Sequence, residues 1–282
     1  MTRRYVNAQE HPMTQSARMQ VLTAITQETA QLALSRQRLA QELSVDMKGR
    51  LDFVTNADRE VEALVASRVE RAFPQDGLFG EEGLRKSGSS GFVWIVDPID
   101  GTHNFVLGGR DWAVSIAMIG PDHRAAAIAV PSADLIVSTE TGSPLLVNGK
   151  PFNRLRHTTE PSMCHTGVST WMPVDLDHAV SDIVRRDLKL ADKRSGSAVI
   201  SLAAVIMGES DLYLGFGEHI WDVAACAVLA EAAGLAHTLT WSEEPSEGHM
   251  TFLCGPPDLL AQVVEQAWTL DKTTPPRRPQ DR

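Results

Sequence analysis

The stretch Trp94–Phe105 reads WIVDPIDGTHNF and carries the strongest local signal in the chain. Its apolar beginning is typical of a buried strand, and Asp97 and Asp100 follow around a proline that fixes a turn. The next two residues, Gly101 and Thr102, resemble a helix start, whose unpaired amides suit a phosphate dianion. The stretch therefore predicts a combined cation and phosphate site. A plain turn, with Asp97 starting it and Asp100 capping the helix, fits the same residues equally well.

Two more acidic segments add to this signal. The loop Gly80–Gly83, GEEG, places Glu81 and Glu82 between glycines, where they either ligate a hard cation or form a solvated acidic loop. Further along, Asp222 opens an apolar helix in the sequence WDVAA, and this position suits either a helix N-cap or a site residue. Neither segment decides between its two interpretations alone.

The segment Asp52–Asp58, DFVTNAD, contains a helix start. Thr55 and Asp58 have the spacing of a capping box, in which each side chain accepts a hydrogen bond from the other residue's backbone. Asp58 can in addition orient a catalytic hydroxyl, because capping and catalysis do not exclude each other at this position.

The overall composition indicates a globular protein that needs cations near any phosphate. The chain has 282 residues, 43% of them hydrophobic, which suits one large domain or two tightly joined ones. Its 36 acidic and 26 basic residues give a formal net charge of −10. Nucleic acid is therefore not expected as the main partner, since it would meet a repulsive average field. A phosphate ester would meet the same repulsion unless divalent cations lay between it and the protein.

Cysteine spacing and apolar content indicate a cytoplasmic protein without membrane contact. Cys164, Cys226 and Cys254 are widely spaced and form no CxxC pair, so neither a disulfide framework nor a zinc–thiolate site is predicted. No apolar run approaches the roughly 20 residues that span a bilayer, and the N-terminus lacks the apolar core of a signal peptide. The polar, proline-rich tail 272–282 is expected to be disordered.

The first half of the chain predicts two helices packed on a sheet. Ser16–Leu43 lacks proline and glycine and is interpreted as a long helix, and a second helix follows Thr55. Strand-like segments then alternate with turns as far as the hairpin turn Asn148-Gly149. Residues 1–150 are therefore predicted to form an α+β half built on an antiparallel sheet.

After residue 151 the pattern changes to alternating strands and helices. Helices are predicted over Ala198–Met207 and over Val223–Ala233, the second ended by Gly234. Residues 151–282 are the expected smaller α/β half. Because no long linker separates the halves, they are expected to pack together with a site at their junction.

Four motifs together carry a family resemblance: DFVTNAD at 52–58, GEEG at 80–83, WIVDPIDGTHNF at 94–105 and WDVAACAVLAEAAG at 221–234. In order and approximate spacing they resemble the inositol monophosphatase family, over about residues 15 to 265. The resemblance implies a layered αβαβα sugar-phosphatase fold and lithium-sensitive, magnesium-dependent hydrolysis of phosphate esters, usually by a homodimer. It also implies two or three magnesium ions per site, with manganese as a substitute.

The resemblance assigns metal ligands residue by residue. Glu81, Asp97 and the carbonyl of Ile99 would ligate one ion, and Asp97, Asp100 and Asp222 would ligate a second. Asp222 must then reach across from the other half, which would also supply the substrate pocket. A ligand set made only of oxygen favours magnesium over zinc, which prefers nitrogen and sulfur donors.

The resemblance further implies in-line attack by an activated water, without a covalent phosphoenzyme. Thr102 and Glu81 would position or deprotonate this water, and Asp58 would hydrogen-bond Thr102. The amides of Gly101 and Thr102 would bind the phosphate. The remaining implied substrate contacts are His103, Gly196, Ser197 and Ala198. Ser197 equally suits a simple cap of the helix that follows it.

The chain departs from the family pattern at two positions. His103 replaces the usual threonine or lysine after DGT and puts a titratable ring beside the expected phosphate, where it either binds substrate or only packs. Gly215 stands where inositol-hydrolysing members carry a glutamate that bonds ring hydroxyls, which puts inositol specificity in doubt. Glu218 lies nearby, but it is interpreted as a solvent-facing loop residue.

The expected reaction is magnesium-dependent hydrolysis of a small phosphate monoester, either inositol monophosphate or a related polyol or sugar phosphate. Histidinol phosphate, fructose bisphosphate and nucleotide 3'-phosphates are substrates of other family members and stay open. An alternative from another class is a regulatory protein that binds the RNA machinery on the same fold, because some bacterial relatives have such partners. The presence of every expected ligand carboxylate argues against a scaffold without catalysis.

Overall fold

The computed structural model describes residues 15–39, 45–49, 52–154, 160–241 and 249–273. Its helices are α1 (Ala17–Arg38), α2 (Asn56–Ala72), α3 (Thr102–Val106), α4 (Val174–Asp182), α5 (Ala198–Met207), α6 (Ile220–Ala232), α7 (Pro257–Leu260) and α8 (Val264–Thr273). In these ranges no helix combines the length and apolar character that a membrane crossing requires. The three cysteines are all buried and unpaired.

The strands form one hairpin and two larger sheets. They are β1 (Val45–Gly49), β2 (Asp52–Thr55), β3 (Gly77–Gly80), β4 (Arg85–Lys86), β5 (Val93–Asp100), β6 (Ala113–Ile119), β7 (Arg124–Val130), β8 (Leu135–Glu140), β9 (Leu146–Val147), β10 (Lys150–Pro151), β11 (Met163–Val168), β12 (Ala191–Lys193), β13 (Leu212–Glu218), β14 (Ala236–Trp241) and β15 (Met250–Gly255).

The larger sheet has eight strands in the order β10-β9-β8-β7-β6-β5-β3-β4. Its pairs are antiparallel, as predicted, except that β3 and β5 run parallel. This correction has a local cause: β4 reverses the chain on the far side of β3, so β5 returns beside β3 in the same direction. The predicted hairpin turn is present between β9 and β10, where Asn148 (φ 48) and Gly149 (φ 75) are both left-handed.

Helices α1 and α2 cover one face of this sheet. The hydroxyl of Ser16 caps α1 by accepting from the backbone of Met19, and α1 ends at Arg38; positions 40–43 of the predicted helix lie outside the described residues. Helix α2 begins with the predicted capping box between Thr55 and Asp58. The shared core of these helices and the sheet includes Leu22, Val61, Trp94, Ile116 and Met118.

The second sheet has five strands in the order β12-β11-β13-β15-β14. The first three strands are parallel, and β15 pairs antiparallel with both β13 and β14. Helix α5 spans the predicted range, whereas α6 begins earlier than predicted, at Ile220, and is followed by the left-handed Gly234. The sheet is therefore mixed, as the alternation of strands and helices in the sequence allows.

The layers give the predicted αβαβα order. Helices α5 and α6 lie between the sheets and share a core with both, and α4, α7 and α8 share a core with the outer face of the smaller sheet. This stacking buries both faces of each large sheet. The tail predicted to be disordered, 272–282, lies outside the described residues except for its first two positions, which end α8.

Candidate metal centre and active site

Strand β5 continues through both aspartates of the DPID segment and ends at Asp100. Its pairing with β6 is irregular between Asp97 and Asp100, where Pro98 lacks a backbone donor for the ladder. Helix α3 is capped by Gly101, with φ 85 and no side-chain hydrogen bond. The alternative of a plain turn capped by these aspartates is therefore wrong, because both carboxylates belong to the strand and neither caps α3.

Asp97, Asp100 and Asp222 form a cluster in which one carboxylate oxygen of each lies within 4.8 Å of the others. Asp97 is 1% exposed, and its Oδ1 has no hydrogen-bond partner among the described residues. Burial raises the pKa of Asp97 well above its ordinary value, and the charges of Glu81, Asp100 and Asp222 raise it further. Buried, mutually repelling oxygens with an unused acceptor fit a hard divalent cation.

Asp100 is held by the first turn of α5 in the other half. Its Oδ2 accepts a hydrogen bond from the Ser197 hydroxyl and another, of 2.7 Å, from the backbone nitrogen of Val199. Ser197 also caps α5, as predicted, because its Oγ accepts from the nitrogen of Ile200 at 3.1 Å. Burial raises the pKa of Asp100 to about 7, with the charge of Asp222 adding to the shift and the hydrogen bonds opposing it.

Asp222 brings the second half into the cluster. It is the third residue of α6, and its Oδ2 accepts from the backbone nitrogen of His219, the N-cap, at 2.7 Å. The interpretation of Asp222 as the N-cap is therefore wrong, because the N-cap of α6 is His219, three residues earlier. Its side chain is 16% exposed, so it lies at the boundary between the buried cluster and solvent.

The hydroxyl of Thr102 lies between two groups that the family resemblance places in the site. Its Oγ1 donates to the carbonyl of Ile99 at 2.9 Å and lies 3.5 Å from Oδ1 of Asp58. The other oxygen of Asp58 accepts from the backbone and hydroxyl of Thr55, at 2.8 and 2.6 Å. Burial raises the pKa of Asp58 to about 6. Asp58 thus caps α2 and approaches Thr102 at the same time.

The GEEG loop is held by a residue that the sequence analysis missed. Oε1 of Glu62, a buried residue of α2, accepts from the backbone nitrogens of Glu82 at 3.0 Å and of Leu84 at 3.4 Å. A Cβ atom at Gly80 would lie 2.0 Å from the same oxygen, so this contact requires a glycine there. In the sequence Glu62 has no signal of its own, since a glutamate within an amphipathic helix is commonplace.

Glu81 lies beside the end of β5. Its backbone nitrogen donates to the carbonyl of Val96 at 3.2 Å, and its carboxyl group contacts that of Asp97. Glu81 therefore lies outside the group of three clustered aspartates but next to one of its members.

The predicted substrate contacts come from the starts of α3 and α5, which touch each other. A Cβ atom at Gly101 would lie 3.0 Å from Cβ of Ser197, and one at Gly196 would lie 3.2 Å from Nδ2 of Asn104. The amide of Asn104 also donates to the carbonyl of Ser195 at 2.8 Å. The structure thus brings residues 101–104 and 195–198 together. His103 is exposed on α3.

A row of aromatic rings beside the cluster was also missed. Phe79 and Trp221 have ring centroids 5.8 Å apart, and Trp221 stacks on His219 with centroids 4.7 Å apart. The guanidinium of Arg85 lies 3.8 Å from the Phe79 ring centre. The available signal was that an aromatic residue directly precedes two of the acidic motifs, since Phe79 precedes GEEG and Trp221 precedes Asp222.

Glu218 was wrongly predicted to face solvent from a loop. It belongs to β13, is 6% exposed, and its Oε1 accepts from the hydroxyl of Tyr213 at 2.5 Å. The reason is that β13 continues past two glycines, which resemble a loop in the sequence.

A family model for the inositol monophosphatase family matches residues 15–272. The chain belongs to this family. The inositol-1-monophosphatase of Rhizobium meliloti is 31% identical over 224 residues, covering 74% of this chain and 78% of that relative. The Nus factor SuhB of Pseudomonas aeruginosa is 32% identical over 225 residues, covering 74% and 80% of the two chains.

Solved structures of the inositol monophosphatase fold superpose over nearly the whole chain. The extragenic suppressor protein SuhB from Bartonella henselae has a TM-score of 0.75 and 28% identity, and the match covers 91% of this chain and 99% of that one. An IMPase from Thermotoga maritima has a TM-score of 0.72 at 22% identity, covering 92% and 98%, and shows the fold alone. Membership of the inositol monophosphatase family supports a phosphatase, and members of this family are generally metal-dependent.

Proposed function

We propose that the protein is a magnesium-dependent phosphatase that hydrolyses a small phosphate monoester. The observation that supports this most is the cluster of Asp97, Asp100 and Asp222, which draws on both halves of the chain. The buried Oδ1 of Asp97, without a hydrogen-bond partner among the described residues, leaves an acceptor for a cation. A donor set made of oxygens suits magnesium, with manganese as a substitute, better than zinc.

The proposed ligands follow the family resemblance. Glu81, Asp97 and the carbonyl of Ile99 would hold one ion, and Asp97, Asp100 and Asp222 a second. The support is that Glu81 contacts Asp97, and that the three aspartates lie within 4.8 Å of one another. A third ion per site is compatible with the same family resemblance.

The proposed reaction is a direct displacement at phosphorus. Magnesium held by these residues would supply positive charge that neutralises the phosphoryl oxygens and would make a water molecule more acidic. Thr102 and Glu81 would orient this water, and the Glu81 carboxylate would take up its proton, while Asp58 lies 3.5 Å from the Thr102 hydroxyl. The water oxygen bonds to phosphorus, the ester P–O bond breaks, and the leaving oxygen takes a proton to become an alcohol.

The alcohol part of the substrate is proposed to lie against the paired segments 101–104 and 195–198. The amides of Gly101 and Thr102 would receive the phosphate, and His103, Gly196, Ser197 and Ala198 would face the rest of the substrate. Support comes from the contact between the two segments beside Asp100. Small side chains at 196–198 leave room for a polyol or a sugar.

The test is phosphate release from a panel of esters by the full-length protein, with magnesium and with a chelator. The panel contains inositol 1-phosphate, histidinol phosphate, fructose 1,6-bisphosphate and adenosine 3',5'-bisphosphate. The proposal predicts release that requires magnesium and strongly prefers one compound. Absence of release from every compound, or equal release with chelator, would overturn it.

A second candidate is a regulatory protein that acts on the RNA machinery. The observation in its favour is that relatives of 31% and 32% identity carry the name Nus factor SuhB. The net charge of −10 favours a protein partner over direct contact with RNA. This candidate predicts partner capture that survives Asp97→Asn, together with negligible phosphatase activity in the parent protein. If the parent protein itself captures no partner, this candidate is excluded.

A further inference from the structure

Strand β13 contains an extra residue near its end. Phe216 and Glu218 lie opposite consecutive residues of β15, so Gly217, with φ 81, is the inserted residue of a β-bulge. Without the bulge, residue 217 would share a face with Tyr213 and Gly215, because side chains of a strand alternate. The bulge instead places Glu218 on that face, which looks toward α5, α6 and the carboxylate cluster.

Two glycines on neighbouring strands leave room for the Glu218 side chain. Gly215 on β13 lies directly beside Gly167 on β11. A Cβ atom at Gly215 would lie 2.7 Å from Oε1 of Glu218, and one at Gly167 would lie 2.8 Å from the same oxygen and 2.5 Å from Oη of Tyr213. The Tyr213–Glu218 pair therefore fills a hollow that exists because both positions lack a side chain.

Within this hollow, Glu218 connects Tyr213 to Asp222. Its Oε1 accepts the 2.5 Å hydrogen bond from Tyr213, which is itself fully buried, and its carboxyl group lies within hydrogen-bonding reach of that of Asp222. Asp222 in turn accepts from the backbone of His219. A buried carboxyl group costs folding free energy, so packing alone does not account for a glutamate here.

We propose that Glu218 is a positioning residue that fixes the carboxylate of Asp222 in the orientation in which the cluster binds a divalent cation. Tyr213 and the paired glycines hold Glu218 in place for this task. The inference rests on the proposed function in one respect, namely that Asp222 ligates the metal. Glu218 itself is too buried to contact substrate. Groups that orient metal ligands in this way typically change metal affinity by about 10- to 100-fold when removed.

The test measures Mn²⁺ affinity of the full-length protein by calorimetry and by the Mn²⁺ electron paramagnetic resonance signal. Glu218→Ala should weaken binding by about 10- to 100-fold, and Tyr213→Phe, which removes only the hydroxyl, should weaken it less in the same direction. Glu231→Ala, an exposed glutamate on α6, is the matched control and should bind as the parent does. Parent-like affinity in a folded Glu218→Ala variant would overturn the proposal.

A double-mutant cycle separates a positioning role of Glu218 from a packing role. It also adds a second variant, Gly167→Ala, so that the test does not depend on a single substitution. Gly167→Ala places a methyl group against the Tyr213–Glu218 pair. Gly167 lies on β11, which is remote from Asp222 in sequence. The loss of Mn²⁺ affinity in Gly167→Ala should largely disappear when Glu218 is already Ala, because no side chain then connects Tyr213 to Asp222. Additive losses, or a loss of thermal stability with unchanged affinity, would show a purely structural role and overturn the proposal.

Failure of this inference is distinguishable from failure of the proposed function. If the parent binds Mn²⁺ and Glu218→Ala does not, but the parent releases no phosphate, the positioning role stands and the phosphatase proposal fails. If the parent is an active phosphatase and Glu218→Ala binds Mn²⁺ normally, the positioning role alone fails. A parent protein that binds no Mn²⁺ overturns both.

Discussion

The hydroxyl of Ser197 donates a hydrogen bond to Oδ2 of Asp100, and thereby joins the start of α5 to the end of β5. The same Ser197 oxygen accepts from the nitrogen of Ile200 to cap α5. One side chain therefore stabilises a helix of the second half and orients a carboxylate of the first. The junction between the two sheets is consequently also the place where the candidate metal centre is assembled.

Ser197→Ala tests this double role. Loss of the cap should lower the free energy of unfolding by about 1 kcal/mol. Mn²⁺ affinity should fall as well, because Asp100 loses a hydrogen-bond donor. Ser16→Ala removes the equivalent cap of α1, away from the cluster, and should cost similar stability without changing metal affinity. Chemical denaturation and calorimetry measure both effects. Equal metal affinities in the two variants would contradict the link between Ser197 and the metal centre.

Asp97→Asn should have opposite effects on activity and on the stability of the metal-free protein. Turnover should be nearly abolished, because Asp97 would ligate both ions. The metal-free variant should melt at a higher temperature than the parent, because one of several crowded, buried carboxylates has lost its charge. Phosphate release at saturating magnesium and thermal unfolding in chelator measure the two effects. Retained activity at saturating magnesium would remove Asp97 from the site.

Thr102→Ala should lower turnover while leaving metal affinity close to that of the parent. The hydroxyl of Thr102 lies near Asp58 and donates to Ile99, and in the proposed reaction it orients the attacking water. Thr23→Ala is the matched control, because Thr23 likewise donates to a backbone carbonyl but lies in α1. Turnover number and Mn²⁺ affinity are the measurements. A loss of metal affinity as large as the loss of turnover would show that Thr102 is structural.

The metal-free protein should lose stability as the pH rises from about 4 to about 7. Burial raises the pKa of Asp58 to about 6 and that of Asp100 to about 7, whereas the ordinary value is 3.8. Between these values the unfolded chain has released protons that the folded protein still binds, so a rise in pH favours unfolding. Magnesium should remove this loss, since it binds the ionised carboxylates.

Denaturation midpoints at about pH 5 and about pH 8, with chelator, measure this dependence. Asp100→Asn should reduce the difference between the two midpoints, and Asp122→Asn, at an exposed position, should leave it unchanged. A difference that Asp100→Asn does not alter would show that Asp100 does not titrate in this range.

Elements with local signals were predicted correctly from the sequence. The capping box of Thr55 and Asp58, the Asn148-Gly149 turn and the helix Ala198–Met207 each depend on residues a few positions apart. The family resemblance carried by the acidic motifs implied the αβαβα fold and the candidate ligands. The clustering of Asp97, Asp100 and Asp222 had no local signal, because Asp222 is far from the other two along the chain.

The errors arose where tertiary contacts override local patterns. Pro98 suggested the end of a strand, yet pairing with β6 carries β5 on to Asp100 through an irregularity. Glu218, between a glycine and a histidine, resembled a loop residue, but β15 pairs with it and Tyr213 satisfies its carboxyl. Glu62 gave no signal because the loop that it holds lies in another segment of the chain.

The most direct test of the metal centre is a crystal structure of the full-length protein grown with Mn²⁺ and inorganic phosphate, with anomalous data collected at the manganese edge. We expect anomalous density in contact with the carboxylates of Asp97, Asp100 and Asp222, with phosphate beside the amides of Gly101 and Thr102. At saturating Mn²⁺, anomalous density elsewhere and none between these three aspartates would contradict it.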